Sequence, residues 1–124
     1  MKKEFLFFLL MILVQVAYGQ VKNKSIIEFK EVASEGFVLI DVRTPEEYAQ
    51  GFIGGAINMD MKNESFVSNI QQIDKNKKVY LYCKAGGRSA KASKVLDSLG
   101  YKNIINLEGG FDAWKEEGNV FVEQ

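Results

Sequence analysis

The 124-residue chain contains no histidine, one cysteine and one proline. Without histidine, no imidazole can activate a nucleophile, so any reactive group must be activated by other means. A lone cysteine, Cys83, excludes an intramolecular disulfide. An excess of one charge is missing too, since 16 Lys and Arg face 16 Asp and Glu. No net field draws nucleic acid or an acidic membrane surface to the chain, and nucleic acid is not an expected partner. The chain also lacks a run long enough to span a bilayer, which takes about 20 apolar residues. Its longest apolar stretch runs only from Phe5 to Val16.

That stretch follows Lys2 and Lys3, and Ala17 and Gly19 supply small residues three and one positions before Gln20. A basic start, a short apolar segment and a small-x-small site together describe a secretory signal. Residues 1–19 are therefore expected to be cleaved, leaving residues 20–124 as one exported domain, periplasmic or secreted, with no stable membrane insertion. The mature chain keeps 14 basic and 15 acidic side chains and stays nearly neutral. Export favours paired cysteines, so an unpaired Cys83 is either a buried inert group or a working thiol.

After a polar lead-in at Val21 to Lys24, the chain shows no repeat, low-complexity run or linker. Phe37 to Val42 is a nearly continuous apolar run, as in a strand buried on both faces of a parallel sheet. Thr44-Pro45-Glu46-Glu47 carries three helix-start signals: an N-cap hydroxyl, proline at the first helical position and a capping-box glutamate. That helix ends near Gly51. A brief strand is expected at Ala56 to Met59 and a polar helix at Ser65 to Ile73, followed by a buried strand from Lys78 to Tyr82. From about Ser89, Ala92, Val95, Leu96 and Leu99 recur at helical spacing up to Gly100. Asn103 to Leu107 reads as a strand and Phe111 to Glu117 as a closing helix that buries Phe111 and Trp114. Strands alternating with helices through short connections predict an α/β fold with a central parallel sheet. Ligands of such sheets bind beyond the carboxyl ends of the strands, where Cys83 falls.

Cys83 begins the string Cys83-Lys84-Ala85-Gly86-Gly87-Arg88-Ser89. A thiol attacks as thiolate, and an ordinary cysteine, with a pKa of about 8.5, is mostly protonated at neutral pH. Glycines that can adopt positive φ let successive N–H groups turn inward as an anion cradle. The helix starting near Ser89 aims its positive end at the same spot, and Lys84 and Arg88 add two cations. The same string also reads as a strand-to-helix turn beside a buried, inert cysteine.

Three further strings bear on that choice: Asp41-Val42-Arg43-Thr44-Pro45-Glu46-Glu47-Tyr48, Gly51 to Asn58, and Leu107-Glu108-Gly109-Gly110-Phe111-Asp112-Ala113-Trp114. With the Cys83 loop, they resemble the rhodanese-like domain, in that family's order, from about Ile26 to Gly118. The resemblance implies a three-layer α/β/α sandwich whose cysteine takes sulfane sulfur from a donor such as thiosulfate, holds it as a persulfide and passes it to a thiophilic acceptor. It implies Cys83 as nucleophile and Lys84, Ala85, Gly86, Gly87 and Arg88 as the substrate cradle, with Asp41, Arg43 and Glu47 supporting the site. Arg43 is expected to pair with Glu47. The implied partners are a small sulfur donor and acceptor, such as thiosulfate, cyanide or a thiol, or a protein acceptor. No metal or organic cofactor is implied.

One departure stands out, since the family usually has Gly-His-Ile where this chain has Gly51-Phe52-Ile53, and often proline at the place of Gly54. Phosphatases and arsenate reductases of related architecture carry Cys-x5-Arg, but here four residues separate Cys83 from Arg88, and Tyr82 stands where those phosphatases tend to have histidine. A carrier or partner-binding module without turnover of its own is the alternative from a different class.

Overall fold

The computed structural model describes residues 21–30 and 36–124. The expected signal segment, residues 1–19, lies outside the described residues. Five strands are present among them: β1 (Val21–Ser25), β2 (Phe37–Asp41), β3 (Ile57–Asn58), β4 (Lys78–Tyr82) and β5 (Asn103–Glu108). Four α-helices accompany them: α1 (Pro45–Gln50), α2 (Phe66–Ile70), α3 (Gly87–Ser98) and α4 (Gly110–Glu116), with one 3-10 turn at Ile26–Glu28. The strands form a single sheet in the order β1-β5-β4-β2-β3, and every pairing is parallel.

Side chains alternate across a strand, and here both faces are apolar. Ile40, Val79, Leu81 and Ile104 pack with Phe66 and Ile70 of α2 and Ala92 and Leu96 of α3. On the other face Leu39, Tyr80, Tyr82, Ile105 and Leu107 meet Ile26, Phe29, Ile53 and Phe111. Full burial of one such side chain is worth about 1.5–3 kcal/mol, so covering both faces, rather than hydrogen bonding along the strands, drives the assembly. The result is the expected layered α/β fold around a parallel sheet.

The helix signals at Thr44 are realised in full. Thr44 Oγ1 accepts from the Glu47 N–H at 3.2 Å, and Glu47 Oε1 accepts from the Thr44 N–H at 3.2 Å. Three elements differ from the sequence expectation. The lead-in is strand β1, held to β5 from Val21↔Ile104 to Ser25↔Glu108. The helix expected over Ser65–Ile73 is confined to Phe66–Ile70. Helix α3 starts at Gly87, so Arg88 belongs to its first turn.

Phe52, the departure from the family pattern, has its own partners. Its ring stacks on Tyr48 at 4.1 Å between centroids, and its backbone pairs with Val122, with N–H···O distances of 2.9 and 2.7 Å. The C-terminal tail is thereby pinned beside Gly51, where Phe121 also meets the Phe111 ring edge-on. Trp114, expected in the core, is half-buried and packs against the core cluster, and its indole N–H donates to the Val120 carbonyl at 3.0 Å.

Candidate active site

Parallel strands carry their carboxyl ends to one edge, so the residues following β2, β4 and β5 converge there. Cys83 is the first residue past β4, and it is 1% exposed. Its Sγ accepts the Gly86 N–H at 3.0 Å and lies 3.5 Å from the Ser89 hydroxyl, which in turn donates to the Gly86 carbonyl at 3.1 Å. Burial pushes the thiol pKa up, but the Ser89 hydroxyl, on turning its proton from the Gly86 carbonyl to the sulfur, and the N–H groups of Ser89, Gly86 and Ala85 outweigh it and hold it below its ordinary value. The leading stabilisers are neutral dipoles at the start of a twelve-residue helix, as expected where unpaired N–H groups and the helix dipole meet an anion.

Two glycines make this geometry possible. Gly86 has φ of +122°, a conformation that L side chains rarely adopt, and this turns its N–H onto the sulfur. Gly110 has φ of +64°, and a Cβ there would fall on the Lys84 carbonyl and lie 2.6 Å from the Cys83 oxygen. With only hydrogen at that point, the first N–H groups of α4 reach the loop. Phe111 N–H donates to Cys83 O at 2.8 Å and Asp112 N–H to Lys84 O at 3.0 Å. The loop's first two carbonyls are thus drawn away from the sulfur by α4, which leaves N–H groups to face it. Gly109 and Gly110, both at positive φ, form the turn that brings α4 against the loop.

The supporting residues are present, but in another pairing. The expectation that Arg43 pairs with Glu47 is corrected: Arg43 Nε and Nη2 donate to the two Asp41 carboxylate oxygens, the latter at 2.6 Å, and Nη2 also donates to the Gly51 carbonyl at 2.6 Å. This pair is sealed, with Asp41 0% and Arg43 4% exposed, and the guanidinium lies 4.4 Å from the Phe111 ring centre. Asn58 adds a second brace, its amide donating to the carbonyls of Asp41 and Arg43. Among the described residues neither Asp41 nor Arg43 hydrogen-bonds to Cys83; they fix the end of β2 beside it.

Glu47 instead binds Arg88. Arg88 Nη1 donates to Glu47 Oε1 at 2.6 Å and Nη2 to Oε2 at 2.9 Å. Chiefly through the Arg88 hydrogen bonds, the Glu47 carboxyl is lowered from its ordinary 4.5 to about 2. Lys84 is paired as well, with Asp112 at 3.1 Å, though both ends are exposed. The five loop residues named from sequence therefore come together, with Ala85 and Gly86 as donors and the two cations tied to carboxylates.

Ser89 and Asp112 are the participants that sequence reasoning left out of the site. Ser89 was in view only as a helix start; its place one turn from Gly86 was the available signal. Asp112 lies 28 positions from Lys84, and nothing local announces that pairing. Tyr82, placed one residue before Cys83, is fully buried and accepts the Ile53 N–H at 3.0 Å. Among the described residues no cluster of three or more His, Cys, Asp or Glu could hold a metal.

The chain is similar in sequence and fold to proteins whose names state an activity or a domain. A sulfurtransferase of Allochromatium vinosum is 38% identical over 89 residues, covering 72% of this chain and 81% of that one. The thiosulfate sulfurtransferase GlpE of Pseudomonas entomophila is 32% identical, covering 71% of this chain and 86% of its own. The crystal structure of a rhodanese-like domain protein from Staphylococcus aureus superposes with a TM-score of 0.65 at 32% identity, covering 83% of this chain and 98% of that one. The rhodanese-like domain itself matches residues 25–117, spanning the Cys83 loop, the Asp41 brace and the Gly110 turn, and the chain belongs to that family.

Proposed function

We propose that the chain is a sulfurtransferase that carries sulfane sulfur as a persulfide on Cys83, taking it from thiosulfate or a similar donor and passing it to a thiophilic acceptor. The observation behind this reading is the convergence of main-chain N–H groups on one buried cysteine sulfur at the carboxyl edge of the sheet. An inert core cysteine has no need of such a cradle, whereas a thiolate and the persulfide anion that follows it both do.

With thiosulfate as donor, the Cys83 thiolate attacks the outer sulfur. A bond forms from Sγ to that sulfur, the donor's S–S bond breaks, and its electron pair leaves with sulfite. The acceptor then attacks the same sulfur, returning the pair to Sγ and restoring the thiolate. Two half-reactions sharing a covalent intermediate give ping-pong kinetics. Gly86, Ala85 and Ser89 stabilise the anion in both states.

Intact-mass measurement after thiosulfate, and again after cyanide, tests the reading. Gain of one sulfur by the native protein but not by Cys83→Ser, with release as thiocyanate, supports it. No gain from thiosulfate, persulfides or mercaptopyruvate would leave a partner-binding module in its place. Alkylation of Cys83 followed against pH should show a midpoint below that of an ordinary cysteine.

We further propose that residues 1–19 are a cleaved export signal and that the domain works outside the cytoplasm. No helix of the described residues is long and apolar enough to cross a membrane. A mature N-terminus at Gln20 in the exported fraction is the expected finding, and full-length protein retained in the cytoplasm would end the proposal.

A further inference from the structure

Two positive side chains flank the Cys83 loop, and each already has a carboxylate partner. Arg88 is gripped by both oxygens of Glu47, at 2.6 and 2.9 Å. Glu47 is itself held in place, because Oε1 also accepts the Thr44 N–H at 3.2 Å and the Thr44 hydroxyl at 3.1 Å. The carboxylate is thus anchored to the first turn of α1 from one side and holds the arginine from the other. Arg88 is near enough to the sulfur that, after the dominant Glu47 hydrogen bonds, a Cys83 thiolate helps to raise its pKa. Lys84 meets Asp112 at 3.1 Å in a looser pair, 61% and 41% exposed.

An oxyanion donor such as thiosulfate brings two negative charges and expels sulfite, so it needs positive charge in addition to the dipoles that hold the sulfur. The cradle supplies N–H groups for one anionic centre, the sulfur on Cys83. The charge of Arg88 is offset by Glu47, and two further carboxylates, Glu46 just after β2 and Glu108 at the end of β5, are exposed. A persulfide differs in that its one ionisable centre is the sulfur being transferred, while the remainder leaves as a thiol.

Resting on the reading that Cys83 carries sulfane sulfur, we infer that the preferred donor is an organic persulfide rather than an oxyanion, and that Glu47, by neutralising Arg88, is the positioning residue that sets this preference. In the transfer, the Cys83 thiolate attacks the terminal sulfur of R–S–SH. The Sγ–S bond forms, the donor's S–S bond breaks, and its electron pair departs with RS⁻. The proton of the terminal sulfur passes through solvent to RS⁻, so that a thiol leaves and the Cys83 persulfide remains as an anion in the cradle. No oxidant or reductant enters.

The test is single-turnover sulfur loading of Cys83 in the intact protein, followed by mass, with thiosulfate and with the persulfide of N-acetylcysteamine, whose organic part is neutral. The native protein is expected to load from the persulfide at least about tenfold faster. Glu47→Gln frees a full charge near the sulfur and should raise the thiosulfate-to-persulfide rate ratio about tenfold, the scale of one charge acting across several ångströms of protein and water. The gain should appear mainly as a lower half-saturating thiosulfate concentration, while Glu47→Asp, which keeps the carboxylate, should hold the native ratio. Asp112→Asn, which releases Lys84, should move the ratio the same way by less and serves if Glu47→Gln does not fold. Thiosulfate loading as fast as the persulfide, or a ratio that neither Glu47→Gln nor Asp112→Asn moves, would overturn the inference while leaving Cys83 a sulfur carrier. Loading by neither donor would overturn the carrier reading and this inference together.

Discussion

Arg43 and Arg88 both meet a carboxylate through two nitrogens, yet they stand in different surroundings. The Asp41–Arg43 pair is closed off below the sheet edge, at 0% and 4% exposure, while Glu47–Arg88 is half-buried at the mouth of the site, at 27% and 22%. Water decides what each pair can do. A sealed pair stripped of one partner leaves an uncompensated charge in a medium of low polarity. A pair at the surface can be broken for little, because solvent takes over the lost interaction. The inner brace is therefore a fixture of the fold, and the outer clamp is a place where the electrostatics of the site can be adjusted without unfolding it.

The hardest blow to the inner brace is Asp41→Asn, which leaves the Arg43 charge buried with one partner removed. A loss of about 3–5 kcal/mol is expected, read as a fall in the denaturation midpoint, with sulfur loading lost only as the fold is lost. Next comes Gly110→Ala, which presses a methyl group against the carbonyls of Cys83 and Lys84. It should cost about 1–3 kcal/mol and, unlike the first, should slow Cys83 loading in protein that is still folded, because the loop itself is displaced. Thr44→Ala removes the cap and one anchor of the outer clamp together, for about 1 kcal/mol in chemical denaturation.

The smallest effect belongs to Glu47→Gln, at about 0–1 kcal/mol once solvent screening is allowed for. Its sign against pH is definite. The Glu47 carboxyl titrates lower in the folded chain, at about 2 against an ordinary 4.5, so its contribution is complete above pH 4.5 and fades as pH falls toward 2. Native and Glu47→Gln stability curves should thus be separated above pH 4.5 and converge between there and pH 2. A gap that stayed constant through that window would show that ionisation of Glu47 contributes nothing to folding.

The contrast between the two arginines was only half legible in the sequence. Pairing Arg43 with Glu47 supposes that both sit four apart on one helix. Arg43 instead precedes the Thr44 cap, where the chain is still extended, and residues two apart on an extended chain point the same way. Asp41 was thus the natural partner. β1 escaped notice because Lys22, Asn23 and Lys24 are exposed at a sheet edge, and its backbone pairing with β5 leaves no mark on the residue pattern. By contrast, the runs that became β2 and β4, the capping box at Thr44 and the glycines around Cys83 could all be read directly. Each of these follows from a local rule of burial, capping or φ, whereas Lys84–Asp112 and Arg88–Glu47 join residues that only the fold brings together.

The turn at Gly86 has a consequence for how such a site drifts over generations. Much of what steadies the sulfur is peptide N–H, which among side-chain substitutions only proline can delete. Residues 84, 85 and 87 are therefore free to change identity while the cradle persists, provided Gly86 keeps its φ. A side-by-side alanine scan of the loop would miss most of the cradle. Replacing single amides by esters, which removes a donor without altering any side chain, would expose it.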